Sequence, residues 1–274
     1  MATTSIVIPT IKGRKDLLTK LHASLPIHMQ KIIIRDEDLP LSAKRNKGAA
    51  IARGRYILFI DDDNHIQPGA IEKMMNIMQH DRSIGIMGMV ACYDDRPKVV
   101  ADGGSFRNYL TGFMKGLFTN TSILAMPKDI YEVDEVANAF MMRRQLFRKL
   151  GGFDQIRFPM DLDEADICYR AKKAGYRIVM CPEAVCYHKS ITYSYIPDFR
   201  RPQNAYYMGR NRVLFQRKHS NTMQWLTYLA IFMPVFVLSY CLCLLYRRKP
   251  EMVYHFLKGV LHGLQNRIQD FVAK

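Results

Sequence analysis

This 274-residue sequence has no CxxC cysteine motif, relatively few acidic side chains and no recognisable export signal. Its six cysteines form no CxxC pair, which argues against a structural zinc site. A chain of this length also needs no disulfide staples. The N-terminal segment has no basic stretch followed by an apolar one, so we expect no secretory signal peptide. These absences together favour a reducing, cytosolic setting.

Acidic residues are too few to balance the basic ones. The chain has 25 Asp and Glu against 40 Lys and Arg, which gives a formal net charge of +15. Such a surplus predicts an anionic partner: nucleic acid, anionic lipid or a phosphorylated small molecule. Because 49% of the residues are hydrophobic, the chain can bury the core of one large domain, or of one domain with an appendage.

Strand-like and helix-like segments alternate through the first half of the chain. Short apolar runs at 5–10, 31–35, 56–60 and 85–90 are typical of strands, and segments with helical apolar spacing separate them. This rhythm predicts an α/β fold with a mostly parallel sheet and helices on both faces. Ligands bind at the carboxyl ends of the strands in such sheets. The less periodic stretch at 93–135 is expected to form loops and short hairpins that shape a site.

Three consecutive carboxylates follow the strand at 56–60. Asp61 and Asp63 are two residues apart on an extended chain and should face the same side, while Asp62 faces elsewhere. Two carboxylates held together share a proton or bind a cation, and Mg²⁺ or Mn²⁺ combines carboxylates with water and substrate phosphates. An ordinary capped turn is the alternative. The rigid apolar strand before the cluster favours the cation.

A second acidic cluster lies where a helix is predicted to begin, at 161–166. Acidic residues are stabilised at helix N-termini, so Asp161 or Asp163 as a simple cap is one interpretation. The other is a general base, since the helix N-terminus lowers a carboxylate's pKa while acidic neighbours raise it. His188, after a strand-like run, is either structural or a ligand.

The C-terminal part combines an apolar run with basic flanks. Residues 225–246 carry no charge, and a helical span of a bilayer needs ~20 apolar residues. Pro234 invites a kink in this helix, and an apolar stripe from 253 to 271 predicts an amphipathic helix lying in a membrane interface. We expect a kinked or re-entrant helix and an in-plane helix on the cytosolic leaflet, with a true span or a buried core helix as alternatives. Basic residues among aromatics at 200–218 fit lipid phosphates better than nucleic acid.

Several motifs occur in register along the chain. They are SIVIPT, RNKGAAIARGRYILFIDDDNHIQPGAI, FMMRR, LGGFD, DEADICYRAKKAGYRI and YHKS. In this order, over roughly residues 5–215, they resemble an inverting family 2 glycosyltransferase with the GT-A fold, and within it a rhamnosyltransferase-like subgroup. The resemblance implies a GT-A domain at 1–219, followed by membrane-associated helices at 220–274.

The resemblance also implies a site, residue by residue. A metal ion, Mn²⁺ or Mg²⁺, would be held by Asp61, Asp63 and His188. Asp62 is expected to point away from the ion, toward the donor sugar or ribose or toward nothing. The residues that would contact the nucleotide sugar are Pro9, Thr10, Asp36, Arg45 and Asp62.

The base that activates the acceptor is assigned by position. The family's Glu-Asp pair is inverted here, so Glu164 is the expected base and Asp163 the second choice. The expected reaction moves a sugar from a nucleotide-diphosphate donor to an acceptor hydroxyl, with inversion and in a single step. The expected acceptor is a glycan or polyprenol-linked molecule of lipid-linked or cell-surface glycan synthesis. The expected location is the cytoplasmic face of a membrane, peripheral, re-entrant or single-pass, without nucleic acid.

Two other functions compete with this interpretation. A sugar-nucleotide pyrophosphorylase would need a Gly-rich, Arg-containing phosphate loop after the first strand, where only Gly13 is present in IPTIKGRKD. A non-catalytic basic protein that binds membrane or nucleic acid would leave Asp61, Asp63 and Glu164 dispensable.

Overall fold

The computed structural model describes residues 3–189 and 201–268, and these fall into two compact units. Ser190 of the YHKS motif, Arg200 of the basic segment and the end of the predicted amphipathic helix from residue 269 lie outside the described residues. The segments of the first unit are Met1–Phe106, Lys115–Asp154 and Glu164–Ile191. The segments of the second are Arg107–Met114, Gln155–Asp163 and Thr192–Lys274.

The strands of the chain form a mixed sheet and a small separate ribbon. In chain order they are β1 (Thr4–Thr10), β2 (Gln30–Arg35), β3 (Tyr56–Ile60), β4 (Asn64–Ile66), β5 (Ile84–Tyr93), β6 (Val100–Asp102), β7 (Ser105–Arg107), β8 (Met114–Gly116), β9 (Tyr131–Glu132), β10 (Ala139–Arg143) and β11 (Arg177–His188). The main sheet has the order β2-β1-β3-β10-β5-β11-β4, with β6 on β5 and β9 on β11, and β7 pairs with β8.

The long strands of the main sheet mostly share one direction. β1 is parallel to β2 and β3, and β11 is parallel to β5, while β10 runs antiparallel between β3 and β5. The carboxyl ends of β1 and β3 therefore lie at one edge of the sheet and their amino ends at the other. The α/β alternation was predicted from the sequence, whereas the insertion of antiparallel β10 was not.

The helices follow the strands in the expected rhythm. In chain order they are α1 (Lys15–Ser24), α2 (Leu41–Ala50), α3 (Ala70–His80), α4 (Arg144–Lys149), α5 (Asp163–Lys173), α6 (Pro202–His219), α7 (Thr222–Thr227), α8 (Met233–Tyr246) and α9 (Pro250–Leu264). A short 3₁₀ turn covers Ile123–Ala125, and a π-helical segment, Tyr228–Phe232, joins α7 to α8.

Both faces of the sheet are buried, which explains why β3 is an uninterrupted apolar run. Leu58 belongs to the core that includes Leu21 of α1 and Met74 of α3. Phe59 belongs to the opposite core, with Ala49 of α2 and Ile167 of α5. Successive side chains of a strand point to opposite faces, so a strand covered on both sides must be apolar throughout. Helices on both faces are thus confirmed.

The second unit is built around α6 and α9. Gly209 and Gly259 lie where these helices touch, because a side chain at either position would run into the backbone of the other helix. Phe236 of α8 and Phe256 of α9 join the same apolar cluster. This unit includes α6 together with the C-terminal helices. The predicted boundary between a GT-A domain at 1–219 and helices at 220–274 stays a prediction.

The apolar C-terminal helix is continuous from Thr222 to Tyr246. Its 25 residues are long and apolar enough to cross a membrane by length and composition, with a mean hydropathy of 2.3 in its most apolar window and 17% of that window buried. The π-helical segment ends just before Pro234. A proline lacks an N–H and clashes with the carbonyl four residues earlier, so the wider turn accommodates it.

Candidate functional site

Asp62 is the innermost of the three strand-end carboxylates. It is buried, and it accepts hydrogen bonds from Thr10 Oγ1 at 2.6 Å and from Arg14 Nη1 at 2.6 Å. Burial alone would lower the pKa of Arg14, but the hydrogen bond and the charge of Asp62 raise it above its usual value. Asp62 therefore joins the end of β1 and the loop after it to the end of β3. The structure directs it into the protein.

Asp63 meets His188, the last residue of β11. Asp63 Oδ1 lies 3.2 Å from His188 Nε2, and Arg14 Nη1 lies 3.5 Å from Asp63 Oδ2. Burial raises the pKa of Asp63, but the hydrogen bond to His188 and the charges of His188 and Arg14 outweigh it, so the pKa is lowered. Asp63 is thus held as a carboxylate at neutral pH.

Asp61 is connected through Arg45 to the second acidic cluster. The buried Arg45 donates from Nη2 to Asp61 Oδ1 at 2.9 Å and to Glu164 Oε1 at 2.8 Å. Burial raises the pKa of Asp61, the charge of Arg45 lowers it and the neighbouring Asp63 raises it again, with a net increase. One guanidinium therefore bridges the two acidic clusters predicted from the sequence.

The RNKG motif explains how Arg45 reaches this position. A Cβ on Gly48 would clash with Val7 Cγ1, so glycine is needed for α2 to lie flat against β1. Asn46 exchanges two hydrogen bonds of 2.9 Å with the backbone of Phe153. The RNKG and LGGFD motifs thus lock together and direct the preceding side chain, Arg45, toward the carboxylates.

The acidic residues at the start of α5 divide into different environments. Asp166 is fully buried and pairs with Arg170 at 2.8 Å, which is a structural role. Asp163, the first residue of α5, is buried as well, whereas the side chain of Glu164 is 20% exposed. Asp161 lies before the helix, in a left-handed turn with φ of 63°. Glu164 is therefore the more accessible of the two candidate bases.

Pro9, Thr10 and Asp36 lie at the carboxyl ends of β1 and β2. Asp36 is half-buried and accepts from Lys47 Nζ at 2.9 Å, a hydrogen bond that lowers its pKa. Lys44 donates to the carbonyl of Thr10 at 3.0 Å, and the negative charges of Asp36 and Asp62 act on it, although burial lowers its pKa. Lys44 is therefore close enough to both predicted donor-binding carboxylates, Asp36 and Asp62, to interact with their charges.

Several residues of this edge were not predicted from the sequence. Arg14 follows a glycine in the loop after β1, a position where a cation next to an acidic cluster could have been suspected. Asn138 has a left-handed φ of 63°, and its carbonyl accepts from the backbone N–H of Asp61 at 3.2 Å. Its buried Nδ2 has no hydrogen-bond partner among the described residues. Asp102 accepts from the N–H of Gly104 at 2.9 Å, and burial raises its pKa. No sequence signal distinguishes Asn138 or Asp102.

The predicted metal ligands are only partly brought together. Two donors side by side on one Mg²⁺ ion at ~2.1 Å lie about 3 Å apart, so the 3.2 Å between Asp63 Oδ1 and His188 Nε2 fits a shared ion. Asp61 is turned to Arg45 instead. Within 3–189 and 201–268, no three Asp, Glu, His or Cys side chains form a metal-binding group. The Asp63 carboxylate nonetheless suits Mn²⁺ or Mg²⁺ in a half-site completed by phosphates and water, and the imidazole nitrogen of His188 favours the transition metal Mn²⁺ over Mg²⁺.

The sequence of this chain matches the model of a known protein family. Residues 13–151 match the model of glycosyl transferase family 2, which is more than half of the chain. The chain belongs to that family. Arg45, Asp61 and Asp63 lie within the matched residues, whereas Glu164 and His188 lie beyond them.

Curated relatives share parts of the sequence. EpsH of Bacillus subtilis (strain 168), provisionally named a glycosyltransferase, is 35% identical over 68 residues, 25% of this chain and 20% of EpsH. Polypeptide N-acetylgalactosaminyltransferase 13 of Drosophila melanogaster, also a provisional name, is 27% identical over 125 residues, 43% of this chain and 22% of that protein. The chain thus spans about a fifth of the length of these relatives.

Solved structures share the fold. GalNAc-T7 with UDP, GalNAc and Mn²⁺ superposes with a TM-score of 0.59 at 14% identity, over 98% of this chain and 58% of that one. S. aureus TarS 1-349 with UDP-GlcNAc gives 0.52 at 11% identity, over 96% and 92%. The mannosyltransferase PcManGT from Pyrobaculum calidifontis with GDP-Man and Mn²⁺ gives 0.52 at 11%, over 97% and 88%. The fold is therefore GT-A-like, an α/β fold with a mixed, mostly parallel sheet.

Proposed function

We propose that this chain is a glycosyltransferase that moves a sugar from a nucleotide-diphosphate donor to an acceptor hydroxyl with inversion. The observation that carries the proposal is the Arg45 bridge, with Asp61 at 2.9 Å on one side and Glu164 at 2.8 Å on the other. This contact supports the proposal because it connects Glu164, our candidate base, to the strand-end carboxylate Asp61. Family membership supports the same reaction.

Glu164 is the proposed base. Its carboxylate takes the proton of the acceptor hydroxyl while the hydroxyl oxygen bonds to the anomeric carbon of the donor sugar. The bond from that carbon to the diphosphate oxygen breaks, and its electron pair leaves with the nucleoside diphosphate. Attack opposite the leaving group inverts the centre in one step. A positioned base contributes ~10² to 10⁴-fold, and Arg45 fixes the position of Glu164. Asp163 is the second choice because it is buried.

A divalent cation, Mn²⁺ or Mg²⁺, would be held by Asp63 and His188, with Asp61 as a further ligand. When bound, it would neutralise charge on the departing diphosphate. The ionised state of Asp63 and its 3.2 Å contact with His188 support this assignment. GalNAc-T7 and PcManGT, which share the fold, were crystallised with Mn²⁺.

The donor would bind along the carboxyl ends of β1 and β2. Pro9, Thr10 and Asp36 line this edge, and Lys44 supplies a positive charge beside them. In our proposal Asp62 does not contact the donor but holds Thr10 and Arg14 in position at the donor site. Arg45 likewise makes no direct contact with the base or phosphate; it positions the carboxylates of Asp61 and Glu164. Structures with the same fold hold UDP-GlcNAc and GDP-Man, so a donor panel should include both. It should also include a rhamnose donor, because the motifs resemble that subgroup.

The decisive experiment follows nucleoside diphosphate release from this panel with Mn²⁺ or Mg²⁺. Glu164→Gln removes the base and should slow release about 100-fold or more. Glu183→Gln, at an exposed position where Lys73 pairs with the carboxylate, is the matched control and should keep full activity. Undiminished activity in Glu164→Gln would reassign the base, and the conservative variant Asp163→Asn would then be tested. No release from any donor would favour the non-catalytic alternative.

We further propose that the C-terminal helices at 220–274 bind the cytoplasmic face of a membrane, where a polyprenol-linked or cell-surface glycan would be extended. One side of α8 packs into its unit through Phe236 and Leu244. The other side exposes apolar residues, of which Val235 is 55%, Leu238 61% and Leu242 57% exposed. Basic residues follow the helix at 247–249. One packed face and one exposed face favour an in-plane or re-entrant helix over a single pass.

Vesicle flotation tests this membrane proposal. Changing Val235, Leu238 and Leu242 together to serine should reduce flotation with anionic vesicles by about tenfold or more, since each buried apolar side chain is worth ~1.5–3 kcal/mol. These side chains are exposed, so the fold should tolerate the change, unlike a deletion that strips α9 from α6.

The control for flotation removes an even larger exposed apolar surface elsewhere on the chain. Ile27, Leu124 and Ile156 are 94%, 88% and 60% exposed, and their triple change to serine should leave flotation unchanged. Equal flotation of both triple variants would refute the anchor.

A further inference from the structure

A cavity lies at the amino edge of the main sheet, opposite the carboxylates. It is formed where β1 and β3 begin and β10 ends, beside the end of α3 and the start of α4. Its volume is about 680 Å³, within the ~300–1,000 Å³ of small-molecule sites. Its lining includes Arg53, Arg55, Arg143 and Arg144, together with one threonine and two glutamines.

The positive charge of this cavity is not balanced by acids in its lining, although the charge of Asp81 acts on Arg143. None of the described residues that line it is Asp or Glu. Arg53, Arg55 and Arg144 form no ion pair with any residue in the described ranges. The cavity therefore concentrates guanidinium groups that repel one another until an anion joins them.

Arg143 and the backbone hold this arrangement in place. Arg143 donates from Nε to the carbonyl of Ile84 at 2.7 Å and from Nη2 to the carbonyl of Asp81 at 2.7 Å. The carboxylate of Asp81 pairs with Arg177 at 2.8 Å. The Arg144 N–H donates to the carbonyl of Arg55 at 3.0 Å, which fixes β3 and α4 side by side. Carbonyl partners orient a guanidinium without cancelling its charge.

We infer that this cavity is a second anion site, which takes a phosphate-bearing ligand. The planar guanidinium matches the oxygens of a phosphate with two parallel hydrogen bonds, and several guanidiniums together favour a group with two or more negative charges. All the lining residues carry polar or charged side chains, which favours a charged ligand over an apolar one. The site lies at the end of the strands remote from Asp61 and Asp63, and the inference does not rest on glycosyl transfer.

Calorimetric titration of the full chain with inorganic pyrophosphate tests the inference. EDTA in the buffer suppresses metal-bridged binding at the carboxylate edge. We expect saturable binding that Arg53→Gln combined with Arg55→Gln weakens at least about tenfold. Both side chains are exposed, so the double variant should fold, and a thermal melt checks this.

The matched control removes the same charge from elsewhere on the same unit. Arg82 and Arg148 are exposed and lie outside the cavity lining, and their double change to Gln should keep binding within twofold. A parallel arm measures partition into phosphatidylglycerol and phosphatidylcholine vesicles. If Arg53→Gln with Arg55→Gln lowers only the phosphatidylglycerol binding, and more than the control does, the phosphate comes from a lipid headgroup.

The pyrophosphate titration and the vesicle partition together also show which results would contradict the proposed site. Pyrophosphate binding that depends on Arg53 and Arg55, with no vesicle effect, identifies a free phosphate-bearing molecule as the ligand. Absence of saturable pyrophosphate binding together with unchanged vesicle binding would overturn the site. So would an equal loss of binding in the control pair.

Discussion

The two edges of the main sheet treat charge in opposite ways. At the carboxyl edge, Asp61, Asp62 and Asp63 each contact a basic side chain, from Arg45, Arg14 and His188. At the amino edge, arginines gather without an acid among the described residues that line their cavity. A compensated cluster holds its groups at fixed positions, as chemistry requires. An uncompensated cluster on a rigid frame is suited to capture an anion from solution.

Among variants at the two edges, removing Arg45 should cause the largest loss of stability and activity. Arg45→Met leaves the Asp61 and Glu164 carboxylates without their shared cation, and breaking a buried charge pair costs about 3–5 kcal/mol. Activity should fall about 100-fold, because the base loses its position. Chemical denaturation and nucleoside diphosphate release measure the two losses.

Arg177→Met is the control for Arg45. Arg177 also bridges two carboxylates, Asp81 at 2.8 Å and Glu132 at 2.7 Å, but its side chain is 38% exposed. Exposed pairs contribute about 1 kcal/mol or less. Comparable losses in both variants would mean that burial of Arg45 has no special role.

Asp62→Asn should have an intermediate effect and decides whether Asp62 is architectural. Loss of the charge weakens the bonds from Thr10 and Arg14, and hydrogen bonds to charged groups contribute about 1.5–3 kcal/mol. A double-mutant cycle with Thr10→Val should show coupling in the free energy of unfolding. Asp36→Asn removes a surface ion pair with Lys47 and should cost about 1 kcal/mol or less. Unaltered stability with a raised donor KM would instead make Asp62 a donor contact.

Replacing Asp102 should have the smallest effect, a change in how stability depends on pH. Burial raises the pKa of this carboxyl group. A folded-state pKa above the unfolded value of ~3.9 means that the contribution to stability is present below the unfolded pKa and lost as pH rises through the folded one. Asp102→Asn cannot ionise and keeps the acceptor for Gly104. Its unfolding free energy should therefore fall less between about pH 4 and 7 than that of the wild type, as urea melts across this range would show. Parallel curves for the two proteins, with Asp129→Asn as an exposed control, would contradict it.

Local sequence patterns predicted much of the fold. The apolar run at 56–60 predicted a strand, and the alternation of segments predicted helices on both faces of its sheet; the structure confirms both, with Leu58 and Phe59 in opposite cores. The antiparallel β10 between β3 and β5 was not predicted, because strand order depends on contacts between residues remote in sequence. Predictions for individual site residues stay predictions, but the structure shows which of them lie together.

The sequence by itself determined the rhythm of strands and helices and the position of acids at strand and helix ends, since periodicity and capping depend on near neighbours. Only the tertiary structure decided which cation meets which carboxylate. Arg14 lies 48 residues from Asp62 in the chain, and Arg45 lies 119 residues from Glu164. Such pairs form because β1, α2, β3 and α5 converge on one sheet edge, and no local pattern specifies that convergence.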